Sequence, residues 1–328
     1  MNLCKNFVRL GVVCALSAMG VNMGMNGALA LDYPTKPVRW IVGYPAGGST
    51  DILARLIGQW LSVRLGQQFI IENRPGAGNN LGTEQVVRAA PDGYTILLVN
   101  PANAINTTLY EKLSFNFIQD IAPVAGLIRV PNVMEVNPSV PAKTVPEFIA
   151  YAKASPGKIN LASSGNGTSI HMSGELFKMM TGLAMQHVPY RGSAPMLTDL
   201  LAGQVQVTFD NMPSSIEHIR GGRLRALAVT TAVRSEALPD IPIVADFVPG
   251  YEASAWFGLG APKGTPAEII QLLNKEINAG LADPKMKARF AELGSLAFVG
   301  SPSDFGKFIA EETDKWAKVV KFSGAKAE

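Results

Sequence analysis

The sequence predicts an α/β protein of two lobes, each a mixed, mostly parallel sheet flanked by helices, joined by a hinge of two crossing segments. Three observations carry this. The chain has 328 residues, more than one ordinary core holds and about right for two domains. From Val38 onward, short apolar strands alternate with capped helices, the pattern of strands covered on both faces. The alternation restarts after Pro131 and returns past Gly250, so the expected lobes are residues 31–131 plus 252–328, and residues 132–251. The expected crossings are Ile128–Val136 and Gly250–Leu259.

Taken in order, the first element is an export signal. Lys5 and Arg9 precede an uncharged apolar run, Leu10–Ala18, and Ala28-Leu29-Ala30 has the small-x-small form of a cleavage site. Nine apolar residues span only about half a bilayer core, so cleavage after Ala30 is expected rather than an anchor. Both cysteines, Cys4 and Cys14, lie in this segment, and the remaining chain can hold no disulfide or thiolate site. Removing it leaves 27 basic against 26 acidic residues, with no Lys/Arg block to attract nucleic acid. A hydrophobic content of 47% argues against disorder.

Val38–Val42 reads as a strand and breaks at Tyr44-Pro45-Ala46-Gly47-Gly48. Ser49 or Thr50 can cap a helix whose apolar positions Ile52, Leu53, Leu56, Ile57, Trp60 and Leu61 recur at 3–4 spacing. Phe69–Ile71 is a short strand, followed by a Gly-rich loop over Asn73–Gly82, a helix through Val87 and the strand Tyr94–Val99. In the second run Val133–Val136 is extended, and Thr144-Val145-Pro146-Glu147 is a capping box opening a helix that ends at Ser155-Pro156-Gly157. Ile159–Ala162 is a strand, and the Gly-rich segment Ser163–Thr168 leads into a helix through Met180. Val188-Pro189-Tyr190 precedes a helix over Ala194–Leu201, and Val205–Phe209, Leu224–Val229 and Ala255–Leu259 are further strands. Thr265-Pro266-Ala267-Glu268 has the form of a second capping box, and Ser301-Pro302 opens the last helix.

Two of these junctions point to one chemistry. In open α/β sheets ligands bind beyond the carboxyl ends of strands, where helix N-termini offer unpaired amides and partial positive charge to an anion. Tyr44–Asp51 and Ser163–Thr168 both have this construction, with glycines that admit close approach and hydroxyls able to donate. Each alone also reads as a tight turn and a good cap. Arg191 could give a bidentate carboxylate contact or be a surface arginine, and Asp210-Asn211 could orient a ligand or simply turn the chain. Asp51 suits the helix dipole, and His171, one turn into its helix, faces the cleft or serves as a structural hydrogen-bonder.

Enzyme motifs are absent: no G-x-S-x-G, no H-E-x-x-H and no phosphate-binding G-x-x-x-x-G-K. Gly76, Gly78 and Gly82 miss the dinucleotide fingerprint by one residue, and His171, His187 and His218 share no metal-ligand spacing. No cofactor and no metal are expected. A secreted hydrolase or lyase, and a sensory accessory to a receptor, stay open as alternatives to a binding protein.

The motifs YPAGGSTD (Tyr44–Asp51), ENRPGAG (Glu72–Gly78), PDGY (Pro91–Tyr94), SPGK (Ser155–Lys158), SSGNGTSIH (Ser163–His171), VPYRG (Val188–Gly192) and APKGTP (Ala261–Pro266) occur in this order. With them the chain closely resembles the Bug-type (TctC-like) solute-binding proteins of tripartite tricarboxylate transporters, over nearly all of its length beyond the signal. The resemblance implies a periplasmic binding protein of type II-like fold, monomeric, that closes on a small carboxylated ligand and presents it to membrane permease subunits. A di- or tricarboxylate, an aromatic acid or an acidic amino acid fits that class. It implies that Tyr44, Ala46, Gly47, Gly48, Ser49 and Thr50, with Ser163, Ser164, Gly165, Asn166, Gly167 and Thr168, hold one carboxylate through backbone amides and ordered waters. The segment Phe209-Asp210 lies nearby in that family, and Asn100, Ala102 and Arg191 are candidates for the distal half of the ligand. Tyr44 stands where phenylalanine is usual and Ala46 where proline is frequent, which bears on the pocket wall and ligand choice.

Overall fold

The structure, a computed structural model, describes residues 32–327. The expected export signal therefore lies outside the described residues. The first strands and helices are β1 (Val38–Val42), α1 (Ser49–Leu65), β2 (Phe69–Asn73), α2 (Asn80–Val87), β3 (Thr95–Val99), α3 (Pro101–Leu109) and α4 (Phe117–Asp120). A long strand, β4 (Ile121–Val136), is followed by α5 (Val145–Ala154), β5 (Asn160–Ser163), α6 (Ser169–Thr181), β6 (Gln186–Pro189), α7 (Ser193–Leu201), β7 (Val207–Asn211), α8 (Met212–Arg220) and β8 (Arg225–Val229). The chain ends with β9 (Ser254–Pro262), α9 (Ala267–Ala282), α10 (Pro284–Glu292), β10 (Leu296–Ala297) and α11 (Pro302–Ser323).

The strands are ordered β2-β1-β3-β9-β4-β7-β5-β6, with β8 and β10 also pairing β4. β1 runs parallel to β2 and β3, and β5 runs parallel to β6 and β7, as strand–helix alternation requires. The pairings made by β4 and β9 are antiparallel, so the sheet is mixed. β4 passes between the two groups of strands. It pairs β9 as far as Pro131↔Ser254, and from Asn132 onward it pairs β7.

Two large apolar cores follow this division. Trp40, Leu53, Ile57, Leu98, Leu127 and Phe257 are buried in one; Met134, Phe148, Leu161, Phe177, Phe209 and Tyr251 are buried in the other. The last helix spans both sides: Phe305 and Ile309 pack with Trp256 of β9, whereas Trp316 and Val320 join the second core. Glu312 fastens it, accepting from the indole N–H groups of Trp256 and Trp316, each at 2.8 Å. Among the described residues no helix is long and apolar enough to cross a membrane.

Three expected caps change. Gly48, not Ser49 or Thr50, is the N-cap of α1, and no side chain caps it. Instead Asp51 reaches back to accept from the Gly47 amide at 3.0 Å. At Thr265 no capping box forms, because the helix begins at Ala267 after Pro266, and Thr265 Oγ1 donates to the Pro262 carbonyl at 2.8 Å. At Thr144 the hydroxyl does accept from the Glu147 amide, but the Glu147 carboxylate takes the Lys143 amide rather than that of Thr144. Helices α3 and α8, which the apolar periodicity does not announce, both start at residues that matter below.

Candidate functional site

Five helices begin at the wall of one cavity. It is lined by Gly48, Ser49 and Thr50 at the start of α1, by Asn100 and Pro101 at α3, and by Ser164, Thr168 and Ser169 at α6. Ser193, the first residue of α7, and Asn211, the N-cap of α8, complete the ring with Tyr44, Pro45 and Phe257. Not one lining residue carries a charge. The positive ends of five helix dipoles therefore meet at a wall whose own residues are uncharged, which favours an anion. Helix geometry leaves the first amides of each helix without an intrahelical acceptor. At α1 those of Ser49 and Thr50, and at α6 that of Ser169, have no other acceptor among the described residues.

The cavity volume is about 30 Å³, enough for one or two waters. Beside it lies a larger space of about 560 Å³, bounded by Pro75–Asn79, Tyr110, Gly165, Asn166 and Arg191, which shares Tyr44, Pro45 and Ser164 with the first. That volume is in the range of small-molecule pockets. Between the two groups of strands the walls touch. A Cβ placed on Gly192 would lie 2.9 Å from Pro45 Cδ, and one on Gly78 would lie 3.1 Å from the Asn166 carbonyl. Ser49 Oγ donates to Ser214 Oγ at 3.0 Å across the same gap.

Local networks fix the walls. Asp51 accepts from Arg55, from the Gly47 amide and from Asn73, whose Nδ2 also donates to the Tyr44 carbonyl at 2.9 Å. Burial pushes the Asp51 carboxyl up, but these hydrogen bonds outweigh it and hold it below the usual range. Asn100 caps α3, its Oδ1 accepting from the Ala102 amide at 3.0 Å, while its buried Nδ2 has no partner among the described residues. Behind the 163–168 loop two imidazoles stack, His171 on His187, with centroids 3.9 Å apart. His187 Nε2 is hydrogen-bonded to Ser163 Oγ at 2.6 Å, and His171 Nδ1 accepts from the Gly167 amide at 3.2 Å. Burial, with the neighbouring His171 adding to it, lowers the His187 pKa to about 3.

The candidate residues divide accordingly. Tyr44, Gly48, Ser49, Thr50, Asn100, Ser164 and Thr168 line the smaller cavity, and Gly165, Asn166 and Arg191 line the larger. Ala46 and Gly47 are exposed and line neither, and the Gly47 amide is already taken by Asp51. Ala102, Ser163, Gly167, His171 and Asp210 are buried behind the walls. The Ser163–His187 pair therefore cannot present a nucleophile to either space, and an imidazole with so low a pKa is a weak base. Asn211, the neighbour of Asp210, lines the site, as do Pro45 of the first loop motif and Ser169 of the second, and Pro101, Ser193 and Phe257 join them. A signal existed for two of them: Ser193 follows the VPYRG motif and Asn211 ends a strand. Among the described residues no cluster of metal-ligating side chains occurs.

An α/β fold of two strand groups, closing on an amide-lined chamber, defines a solute-binding protein. The chain matches the profile of the tripartite tricarboxylate transporter family receptor (TctC) over residues 53–324. It is 37% identical to protein BugT of Bordetella pertussis, covering 99% of each chain. Among solved structures it superposes on R. palustris Rpa4515 with adipate (41% identity, TM-score 0.88, 89% of this chain and 99% of that one). It superposes likewise on MatC from Rhodopseudomonas palustris with bound malate (31% identity, TM-score 0.83, 88% and 100%). The chain belongs to the TctC family of tripartite tricarboxylate transporter receptors.

Proposed function

We propose that this protein captures a small dicarboxylate by closure of two lobes and delivers it to a tripartite tricarboxylate-type membrane transporter, with no bond made or broken. The observation that carries the reading is the convergence of five helix N-termini on one uncharged cavity. One carboxylate would accept from the amides of Ser49, Thr50 and Ser169 and from Asn100 Nδ2. The rest of the ligand would extend toward the larger space, where Arg191 has no ion-pair partner among the described residues. The related proteins with adipate and with malate support a diacid. Three or four charge-assisted hydrogen bonds of about 1.5–3 kcal/mol each, less association and closure costs, give about micromolar affinity.

The lobes in this reading are residues 31–131 plus 252–328, and residues 132–251, with β4 at Pro131–Asn132 as one hinge strand. Residues 1–30 direct export to the periplasm and are removed after Ala30. The experiment is calorimetric titration of the purified protein with adipate, malate, benzoate and glutamate, and mass spectrometry of recovered ligand. Saturable binding of a diacid recovered intact is expected. No heat from any acid, or conversion of the ligand, would overturn the reading.

A further inference from the structure

Beneath the cavity, two carboxyl groups lie on either side of a single hydroxyl. Glu135 on β4 and Asp210 on β7 have no solvent exposure. Val133 stands opposite Asp210, so Glu135, two residues along, shares its face of the sheet on the diagonal. From α8, which packs on β4 and β7, Ser215 Oγ lies 2.6 Å from Glu135 Oε1 and 2.8 Å from Asp210 Oδ2.

A serine hydroxyl has one hydrogen. It can serve one of these oxygens, and the other carboxyl must bring a hydrogen of its own. The remaining partners decide which. Asp210 also accepts from Ser193 Oγ at 2.8 Å and from Ser214 Oγ, the solvation that a buried carboxylate needs. Glu135 Oε2 has no partner among the described residues, which a neutral acid tolerates far better than an anion. We propose that Glu135 is held as the neutral acid, donating to Ser215 Oγ so that Ser215 donates to Asp210, and that this proton sets the direction of the Ser215 hydroxyl and keeps the charge beneath the cavity to one. Burial and the nearby Asp210 push the Glu135 carboxyl well up; burial raises Asp210 as well, but there the bonds from Ser214, Ser215, Ser193 and the Asn211 backbone oppose it.

The consequence reaches the ligand site. Ser193 donates to Asp210; Ser214 Oγ lies against Asp210 and, at 2.8 Å, the Asn211 carbonyl, and the carboxylate, the stronger acceptor, draws its hydrogen, while Ser49 donates to Ser214 in turn. Ser49 and Ser193 line the cavity with their hydrogens committed to these internal acceptors, so they present lone pairs beside amides that present hydrogens. If Glu135 gave up its proton, the single Ser215 hydrogen would face two carboxylates, and a second buried negative charge would stand beneath a cavity built for an anion. Glu135 is thus a positioning residue acting through Ser215 and Asp210.

Among the described residues no cation is paired with either carboxyl. Arg225 of β8 is committed to the carbonyls of Val140 and Ala142, and Arg220 of α8 to Glu217. Asp199 of α7 accepts from Tyr190, and on α8 His218 lies three residues beyond Ser215 with its Nδ1 unpartnered among the described residues. On α6, Lys178 and His171 face Glu175, and on α1 Arg55 faces Asp51. Arg129, at the far end of β4, stacks on Phe298 and Phe308.

The inference rests on the proposed function only for its binding arm, and the first measurement needs no ligand. Infrared spectra of the full protein at neutral pH are compared for wild type and Glu135→Gln. A carboxylic-acid C=O band in wild type, absent from Glu135→Gln, is expected. No such band in wild type, or the same band in the variant, would overturn the proposal. In titrations with adipate from neutral to alkaline pH, wild-type affinity should fall at least about tenfold as the band disappears. Glu135→Gln, a permanent donor of the same shape, should hold its affinity. Parallel pH profiles would overturn the positioning role. If no diacid binds the wild type, the proposed function fails while the band still decides the proton. If Glu135→Gln does not fold, the wild-type band and its loss with rising pH decide it.

Discussion

Asn100 separates the two things a site residue does here. Its Oδ1 caps α3 and its Nδ2 is the one side-chain donor of the cavity wall left buried without a partner among the described residues. Asn100→Asp keeps the cap, since both residues are strong N-caps, and replaces the donor with a charge that repels an anion. Diacid affinity measured by calorimetry should fall at least about tenfold, with a melting temperature close to wild type. Arg191→Gln should weaken a diacid about tenfold and leave a monocarboxylate of the same length unchanged, a loss of one charge-assisted contact. Equal loss for both ligands would remove Arg191 from the distal role. The amide-bearing loops were legible in the sequence because Gly, Ser and Thr at strand–helix junctions have a local meaning. Ala46 and Gly47 were not separable from Gly48 by sequence, since what removes them is Asp51 folding back on the Gly47 amide. Glu135 and Asp210 were equally hidden as a pair, because antiparallel register and α8 bring them together across 75 residues of chain.

Among the elements, strands were the most legible, since β1 and β3 carry the apolar runs Trp40–Val42 and Ile96–Val99. α3 and α8 were not, because their buried faces carry asparagine and serine that bond to neighbouring loops and strands instead of packing as an apolar stripe. The 163–168 loop and its helix make a pH prediction. The folded His187 value of about 3 lies below the ordinary value of about 6.5, so the unfolded chain takes up a proton that the folded chain refuses. Its contribution is intact above about pH 6.5 and is lost as pH falls toward about 3, so the melting temperature should decline over that window. In His187→Asn the decline should be shallower. Where two elements meet across the cleft, Gly192 has φ 117°, and a Cβ there would meet Pro45. Gly192→Ala should therefore strain the α7 start and hold the walls apart, lowering diacid affinity about tenfold or more. Gly48 has an ordinary φ of −89°, so Gly48→Val should fold normally and fill the cavity. Its readout is lost binding with an unchanged circular-dichroism spectrum.

At the scale of the molecule, the division into two strand groups was legible from the restart after Pro131, and β4 changes partners at that point. The last helix was not, since Trp316 and Val320 pack in the second core although the helix starts against Trp256 of β9. Sequence periodicity shows which face of a helix is apolar and not which core receives it. If the two strand groups close on a diacid as proposed, α11, which spans both cores, must bend or slide with them, and X-ray scattering should show contraction when a diacid is added. The most direct measurement is titration of the wild-type protein with linear diacids and with the neutral diamides of matching length. Saturable heat from a diacid and none from its diamide is the predicted result. Equal binding of both, or of neither, would contradict an anion held by converging helix amides.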